Sequence, residues 1–442
     1  MREKLNPPKV LVLGFAILIF IGAFLLMLPF TSESGEGLSF LNALFTATSA
    51  VCVTGLVVVD TADTFSLSGE LIILSLIQIG GLGFMTFATF LFILLGKKIT
   101  IKNRLVLKNA FNDDISKDIV LIAKRVLIFS LTIEVLGGMI LSARFSSDME
   151  ISQAIYFGFF HAISNFNNAG FDLMGGYKSL GSYVDDPTVV LSTSFLIILG
   201  GLGFIVLNEL FEYRKTKKLS LQTKIVLTTT SIFLIGATIL ILVFEYGNDK
   251  TLGQLSGQGK VLAAFFQSVT PRTSGSSTIS IADLTDSSLV LTIFLMFIGA
   301  GSGSTAGGIK LSTFTVLLAT ILSQLKGSQD VELFQKRIVP EIILKAFTIA
   351  SSGLLVVFLM TFLLSITEKD QSFIAYLFEV TSAFGTVGLS MNLTPDLSGF
   401  GRIFIIITMF IGRLGPLTIG FAITKRMVRK SYRYVKGDIM IG

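Results

Sequence analysis

Four eight-residue stretches decide the reading of this chain: Thr48-Ser-Ala-Val-Cys-Val-Thr-Gly55, Ile163-Ser-Asn-Phe-Asn-Asn-Ala-Gly170, Ser268-Val-Thr-Pro-Arg-Thr-Ser-Gly275 and Thr381-Ser-Ala-Phe-Gly-Thr-Val-Gly388. Each ends in glycine, and the glycines are 115, 105 and 113 residues apart. Each stretch closes a short apolar segment, at 38–51, 153–164, 260–270 and 373–384. Apolar segments of about 10–14 residues more often re-enter a membrane than cross it. Irregular backbone at membrane depth persists only where protein or a water-filled path surrounds it. Four such stretches about one axis would form a ring of main-chain carbonyls able to replace the water shell of K⁺. Glycine reaches positive φ and lets neighbouring carbonyls turn to the axis. Each short helix would also aim its C-terminal end, about half a negative charge, at the site. No Asp or Glu lies within the four stretches, so selectivity would rest on dipoles.

Outward from these stretches lie eight longer apolar runs, at 10–30, 71–96, 119–143, 188–211, 225–244, 288–323, 342–366 and 402–424. A spanning helix needs about 20 residues. The order of span, short helix, irregular segment and span therefore occurs four times. The expected fold is an all-α polytopic membrane protein of four tandem repeats about a pseudo-fourfold pore. The repeats are 1–115, 116–220, 221–340 with a broken second span, and 341–442 with a C-terminal tail. The second spans share Ile79-Gly-Gly-Leu-Gly-Phe84, Leu199-Gly-Gly-Leu-Gly-Phe204, Ile298-Gly-Ala-Gly-Ser-Gly303 and Ile411-Gly-Arg-Leu-Gly-Pro416. Arg413 stands where the others have Gly81, Gly201 and Ala300. For these helix glycines, close packing is as good a reading as function.

Composition agrees. Of 442 residues, 52% are hydrophobic and 14% charged, against about 25% charged in soluble domains. Mean hydropathy is +0.78. The net charge of +6 does not signal nucleic-acid binding in so apolar a chain. One cysteine, Cys52, permits no internal disulfide, and one histidine, His161, leaves little for a zinc site or a His-based triad. A polytopic membrane enzyme would need clustered catalytic groups that this chain lacks. The basic start leads into a first run too long for a signal-peptide core, hence a retained span. The N-terminus and the segments 97–125, 214–224, 326–345 and 425–436 hold 26 of the 35 Lys and Arg. The positive-inside rule then places both termini in the cytoplasm. The first outer loop, 31–69, has no Lys or Arg but carries Glu33, Glu36, Asp60 and Asp63, a field that draws cations.

Residues 299–310 of the broken span read Gly-Ala-Gly-Ser-Gly-Ser-Thr-Ala-Gly-Gly-Ile-Lys. The match to nucleotide-binding loops is rejected, because those need a strand before the loop and half a span precedes this one. A mobile plug below the carbonyl ring fits better. Arg413 is costly inside a span, about 2.5–3.5 kcal/mol on insertion scales. It is expected either to bond the plug's carbonyls or to pair with Glu134. Arg272 is expected to turn away from the axis, Cys52 to be a packing residue, His161 to brace the second short helix, and Glu379 to brace the fourth stretch from behind.

The four stretches, above all His161-Ala-Ile-Ser-Asn-Phe-Asn-Asn-Ala-Gly-Phe171 and Thr270-Pro-Arg-Thr-Ser-Gly275, with Gly303-Ser-Thr-Ala-Gly-Gly-Ile-Lys310 and Arg413, resemble the Trk/Ktr/HKT superfamily of cation transporters, most closely its bacterial KtrB-type membrane subunits. The resemblance covers essentially the whole chain. It implies four joined M1-P-M2 repeats around one pore and K⁺ uptake at the cell membrane. The implied K⁺ filter comprises Cys52, Val53, Thr54, Gly55; Asn167, Asn168, Ala169, Gly170; Arg272, Thr273, Ser274, Gly275; and Gly385, Thr386, Val387, Gly388. The implied gate comprises Gly299, Gly301, Gly303, Ser304, Thr305, Gly307, Gly308, Lys310 and Arg413. Glycine at all four filter positions favours K⁺; plant relatives with Ser in the first repeat pass more Na⁺. The resemblance further implies a homodimer in lipid, with the terminal segment 436–442 at its interface. It implies a cytoplasmic ring of nucleotide-binding (RCK/KTN-type) subunits, and no cofactor held by this chain beyond the transported K⁺, with Na⁺ as a possible activator. Na⁺- or H⁺-coupled secondary transport is the alternative mechanism; parallel repeats without carboxylates on the path favour a gated pore.

Overall fold

The computed structural model describes residues 7–83, 119–369 and 371–423. The regular secondary structure of these residues is helical but for one small hairpin. In chain order the helices are α1 (Pro7–Leu26), α2 (Phe40–Cys52), α3 (Leu67–Leu82), α4 (Ile119–Phe145), α5 (Ile151–Phe166), α6 (Pro187–Leu202), α7 (Phe204–Thr216), α8 (Leu221–Glu245), α9 (Gly257–Val269), α10 (Asp286–Phe297) and α11 (Leu311–Leu325). The hairpin strands β1 (Val331–Leu333) and β2 (Lys336–Ile338) follow. The chain then forms α12 (Pro340–Thr367), α13 (Phe373–Gly385), α14 (Gly399–Leu414) and α15 (Pro416–Ile423). The hairpin is antiparallel with Glu332 opposite Arg337, and nothing in the sequence reading anticipated it. The repeat boundary at 115–116 and the terminal segment 436–442 lie outside the described residues.

The layering inverts that of a soluble protein. The short helices are the core: Phe45, Phe160, Phe266 and Phe378, one on each of α2, α5, α9 and α13, are fully buried. The long helices turn large apolar side chains outward, with Phe24 on α1 66% exposed and Phe358 on α12 73% exposed. Lipid is as apolar as leucine and imposes no penalty on this.

Capping follows the internal repetition. Ser66, Asp186, Thr285 and Ser398 stand before α3, α6, α10 and α14, and each side chain accepts a first-turn backbone N–H. That satisfies donors a helix start leaves open.

The structure corrects the second spans. Among the described residues, four helices are long and apolar enough to cross a membrane, at Pro8–Leu26, Lys124–Phe145, Leu221–Glu245 and Pro340–Thr367, or up to six if each bent pair counts as one span. The run 188–211 bends by 98° between α6 and α7, and 402–424 by 94° between α14 and α15. Gly203 and Gly415 at these corners have φ of +98° and +81°, and Gly83, which ends α3, has +83°. The three occupy one position of the shared motif. A residue at positive φ cannot continue a right-handed α-helix, so these runs are not single straight helices. The expected run 71–96 is helical to Leu82, and 84–96 lies outside the described residues.

Candidate functional site

The four decisive stretches adopt one backbone signature. Two residues before each terminal glycine the chain is left-handed, at Val53 (φ 58°), Asn168 (61°), Thr273 (77°) and Thr386 (50°). The glycines are left-handed too, at 89°, 69°, 81° and 95°. Non-glycine residues rarely adopt such φ, so four at matched positions mark one design. Hydroxyl braces recur as well. Ser49 Oγ accepts from Gly55 N at 3.0 Å, and Ser382 Oγ from Gly388 N at 3.1 Å. Ser164 Oγ donates to Phe171 O at 2.7 Å, and Thr270 Oγ1 donates to Ser276 O.

The glycines close on one another. A Cβ on Gly55 would strike Ala169 O and stand 3.2 Å from Gly170 Cα. One on Gly170 would strike Ser274 O, 2.9 Å from Gly275 Cα; one on Gly275 would meet Val387 O, 3.1 Å from Gly388 Cα. One on Gly388 would strike Thr54 O, 3.0 Å from Gly55 Cα. The order 55, 170, 275, 388 returns to 55, so the stretches share one centre, and the carbonyls of Thr54, Ala169, Ser274 and Val387 stand between successive glycines. On one face of the ring opens a vestibule of about 690 Å³ bordered by all four glycines together with Asp60, Asp172, Tyr177 and Thr278. Burial pushes the Asp172 carboxyl up to about 6; the Met174 N–H lowers it, and the nearby Asp60 raises it further.

The residues three before each glycine differ. Cys52 is a buried free thiol within electrostatic reach of Arg413. The Asn167 side chain lies against Gly81 of α3. Arg272 turns to α8, where Nη2 donates to Thr230 Oγ1 at 3.1 Å. Gly385 leaves room for the main chain of Met296 and Gly308. Asn168 stitches its stretch to the next, donating to Arg272 O and Thr273 Oγ1, both at 3.2 Å. His161 donates through Nδ1 to Phe157 O at 2.7 Å and accepts at Nε2 from Leu173 N at 3.4 Å, which fixes its tautomer. Glu379 holds the same place before Gly388 as His161 before Gly170. It accepts from Ser390 Oγ at 2.7 Å and from Thr394 Oγ1.

The glycine-rich loop between α10 and α11 packs against the second-helix segments and against the fourth ring segment. Gly301 N donates to Gly201 O at 2.8 Å, Gly303 O accepts from Phe204 N at 2.9 Å, and Gly308 N donates to Gly412 O at 3.3 Å. A Cβ on Gly307 would strike Thr386 Oγ1, and one on Gly299 would strike Gly307 O. Ser304 Oγ donates to Gly301 O at 2.7 Å. Two cations clasp the loop. Lys310 Nζ donates to Ala306 O and, at 3.3 Å, to Gly307 O. Arg413 donates through Nη1 to Thr305 O and through Nη2 to Gly80 O and Gly81 O. The alternative of an Arg413–Glu134 pair is thereby excluded. Glu134 is instead occupied by Gln78 and Asn167, two amides the sequence reading did not connect with it.

The helix glycines prove to be packing positions. A Cβ on Gly80, Gly200 or Gly412 would strike Val51 O, Phe166 O or Phe384 O, each four residues before a ring glycine. Comparison with known proteins accords with this architecture. The family model described as "TrkH: Cation transport protein" matches residues 9–432. The chain belongs to the TrkH family. Among its relatives, this TrkH-family chain is 45% identical to the Ktr system potassium uptake protein B of Bacillus subtilis, over 99% of this chain and 97% of that one. It is 42% identical to the potassium/sodium uptake protein NtpJ of Enterococcus hirae, over 100% and 98%. It is 38% identical to the Ktr system potassium uptake protein B of Vibrio alginolyticus, over 96% and 92%. The crystal structure of the potassium transporter TrkH from Vibrio parahaemolyticus shares the fold, with a TM-score of 0.76 over 96% of this chain and 86% of that one at 19% identity. The names of these relatives describe transport, not catalysis.

Proposed function

We propose that the protein is the K⁺-selective, gated, ion-translocating membrane subunit of a K⁺ uptake system. The closed ring of Gly55, Gly170, Gly275 and Gly388 carries this reading. Four M1-P-M2 repeats surround one pore, and the carbonyls between the glycines stand in for the hydration shell of K⁺. The α2, α5, α9 and α13 C-termini add negative potential. Relatives named for potassium uptake cover nearly the whole chain, which supports K⁺ as cargo. The glycine loop, held by Arg413 and Lys310, is the gate: it lies under Thr386 and places positive charge on the path. Opening withdraws it. No carboxylate belongs to the ring, which favours a gated pore over Na⁺- or H⁺-coupled transport.

The cationic segments face the cytoplasm of a cell-membrane protein and offer a docking face to a nucleotide-binding regulatory ring, with the subunit working as a homodimer. Filter and gate are tested separately by flux through purified protein in liposomes. Gly55→Ser should lower K⁺ over Na⁺ selectivity. Arg413→Ala, or removal of part of 303–308, should raise K⁺ flux several-fold with selectivity kept. Loss of flux in correctly folded Arg413→Ala protein refutes the gate.

A further inference from the structure

We propose that Glu134 is a positioning residue for the second ring segment, holding it, through Gln78 and Asn167, to the last turn of α3. The proposal rests on the reading of the ring as the K⁺ filter. Glu134 lies on α4 at 3% exposure. A carboxylate at such depth ordinarily has a role, and its hydrogen bonds go to amides. Gln78 Nε2 donates to both oxygens, at 3.0 and 3.1 Å, and Asn167 Nδ2 donates to Oε1 at 3.1 Å. The same Nδ2 lies 2.8 Å from Gln78 Oε1 and 2.9 Å from Ile163 O.

As the shared acceptor of both amides, the Glu134 carboxyl points their NH₂ groups inward and fixes their orientation. Asn167 Oδ1 is left facing Gly81, where a Cβ would strike it, and it has no hydrogen-bond partner. Two contacts make this more than local packing. Asn167 adjoins Asn168, whose side chain holds the third ring segment at Arg272 O and Thr273 Oγ1. The α3 turn that Asn167 grips also offers Gly80 O and Gly81 O to Arg413. The Glu134 cluster thus joins ring and loop through a single helical turn.

The test is passive K⁺ and Na⁺ flux through the full-length protein in liposomes, for Glu134→Gln, Gln78→Ala, the double variant and Gly55→Ser as the filter control. Glutamine at 134 keeps the shape but turns an NH₂ toward the other amides. Each single variant should lower the K⁺/Na⁺ flux ratio about threefold or more, the scale of one lost hydrogen bond. The double variant should be no worse than the stronger single one, because the residues act as one unit. A merely structural role would reduce folded protein and both fluxes together, leaving the ratio unchanged. The proposal is overturned if both singles keep the ratio while Gly55→Ser lowers it, or if the two effects multiply in the double variant. If Gly55→Ser leaves the ratio unchanged, the filter reading falls and the proposal with it. If Glu134→Gln does not accumulate, the half-buried Gln78→Ala decides alone.

Discussion

At the scale of single residues, the ring glycines are constrained twice, by left-handed φ and by a neighbour's main chain where a Cβ would sit. Gly388→Ala must displace the Thr54 carbonyl. It should cut K⁺ over Na⁺ selectivity by about an order of magnitude, the effect of roughly 1.4 kcal/mol at one site, measured as the reversal-potential shift between K⁺ and Na⁺ solutions. Asp172 sets a pH dependence. Its carboxyl is raised to about 6, so the vestibule gains this negative charge above that pH and loses it below. K⁺ uptake at low external K⁺ should fall as pH drops from about 7 to about 5, and Asp172→Asn should flatten the profile; an unchanged profile would remove Asp172 from the entry path. The same shift costs folding stability in full above about pH 6, and that cost fades as pH falls from there toward the ordinary carboxylate value of 3.8. Serial position alone locates the ring glycines, since each ends a recognisable stretch. It does not reveal Gln78 as a partner of Glu134, because 56 residues separate them and neither belongs to a motif.

Among the elements, the short helices were legible to within about three residues, because each is a brief apolar run followed by a glycine-ended stretch, and α9 and α13 also begin at capping serines, Ser256 and Ser372. The second spans were not. Hydropathy runs straight through Gly203 and Gly415, and only φ breaks the helix there. Gly415 isolates this backbone effect, as a Cβ there would meet nothing within 4 Å. Gly415→Ala should lower stability by about 1–3 kcal/mol, the cost of a Cβ in a sparsely populated positive-φ conformation, seen as a fall in melting temperature with selectivity intact. A change in selectivity instead would mean that the α14–α15 corner reports to the ring. The Arg413 clasp was half legible: an arginine inside a span demands oxygen partners, but those partners, Thr305 O, Gly80 O and Gly81 O, come from different second-helix segments.

For the whole molecule, orientation is the open consequence of the charge pattern. Cys52 is the sole cysteine and is buried, so wild-type protein in intact cells should resist a membrane-impermeant maleimide. A single cysteine at the exposed Ser34 should be labelled from outside, and one at the exposed Lys217 only after permeabilisation; the reverse pattern would invert the topology. What the sequence determined alone is what depends on composition and period: a membrane solvent, four recurring stretches that each end in glycine after a short apolar helix, and the uneven distribution of Lys and Arg along the chain. These are local or additive quantities, readable without knowing which residues meet. What only the tertiary structure decided is the closure of the ring in the order 55, 170, 275, 388, the seat of the glycine loop beneath Thr386, and the choice of Gln78 and Asn167 rather than Arg413 for Glu134. Each joins main-chain or side-chain atoms far apart in the chain, and hydrogen-bond reach and van der Waals contact are properties of distance in space, which hydropathy and spacing do not encode.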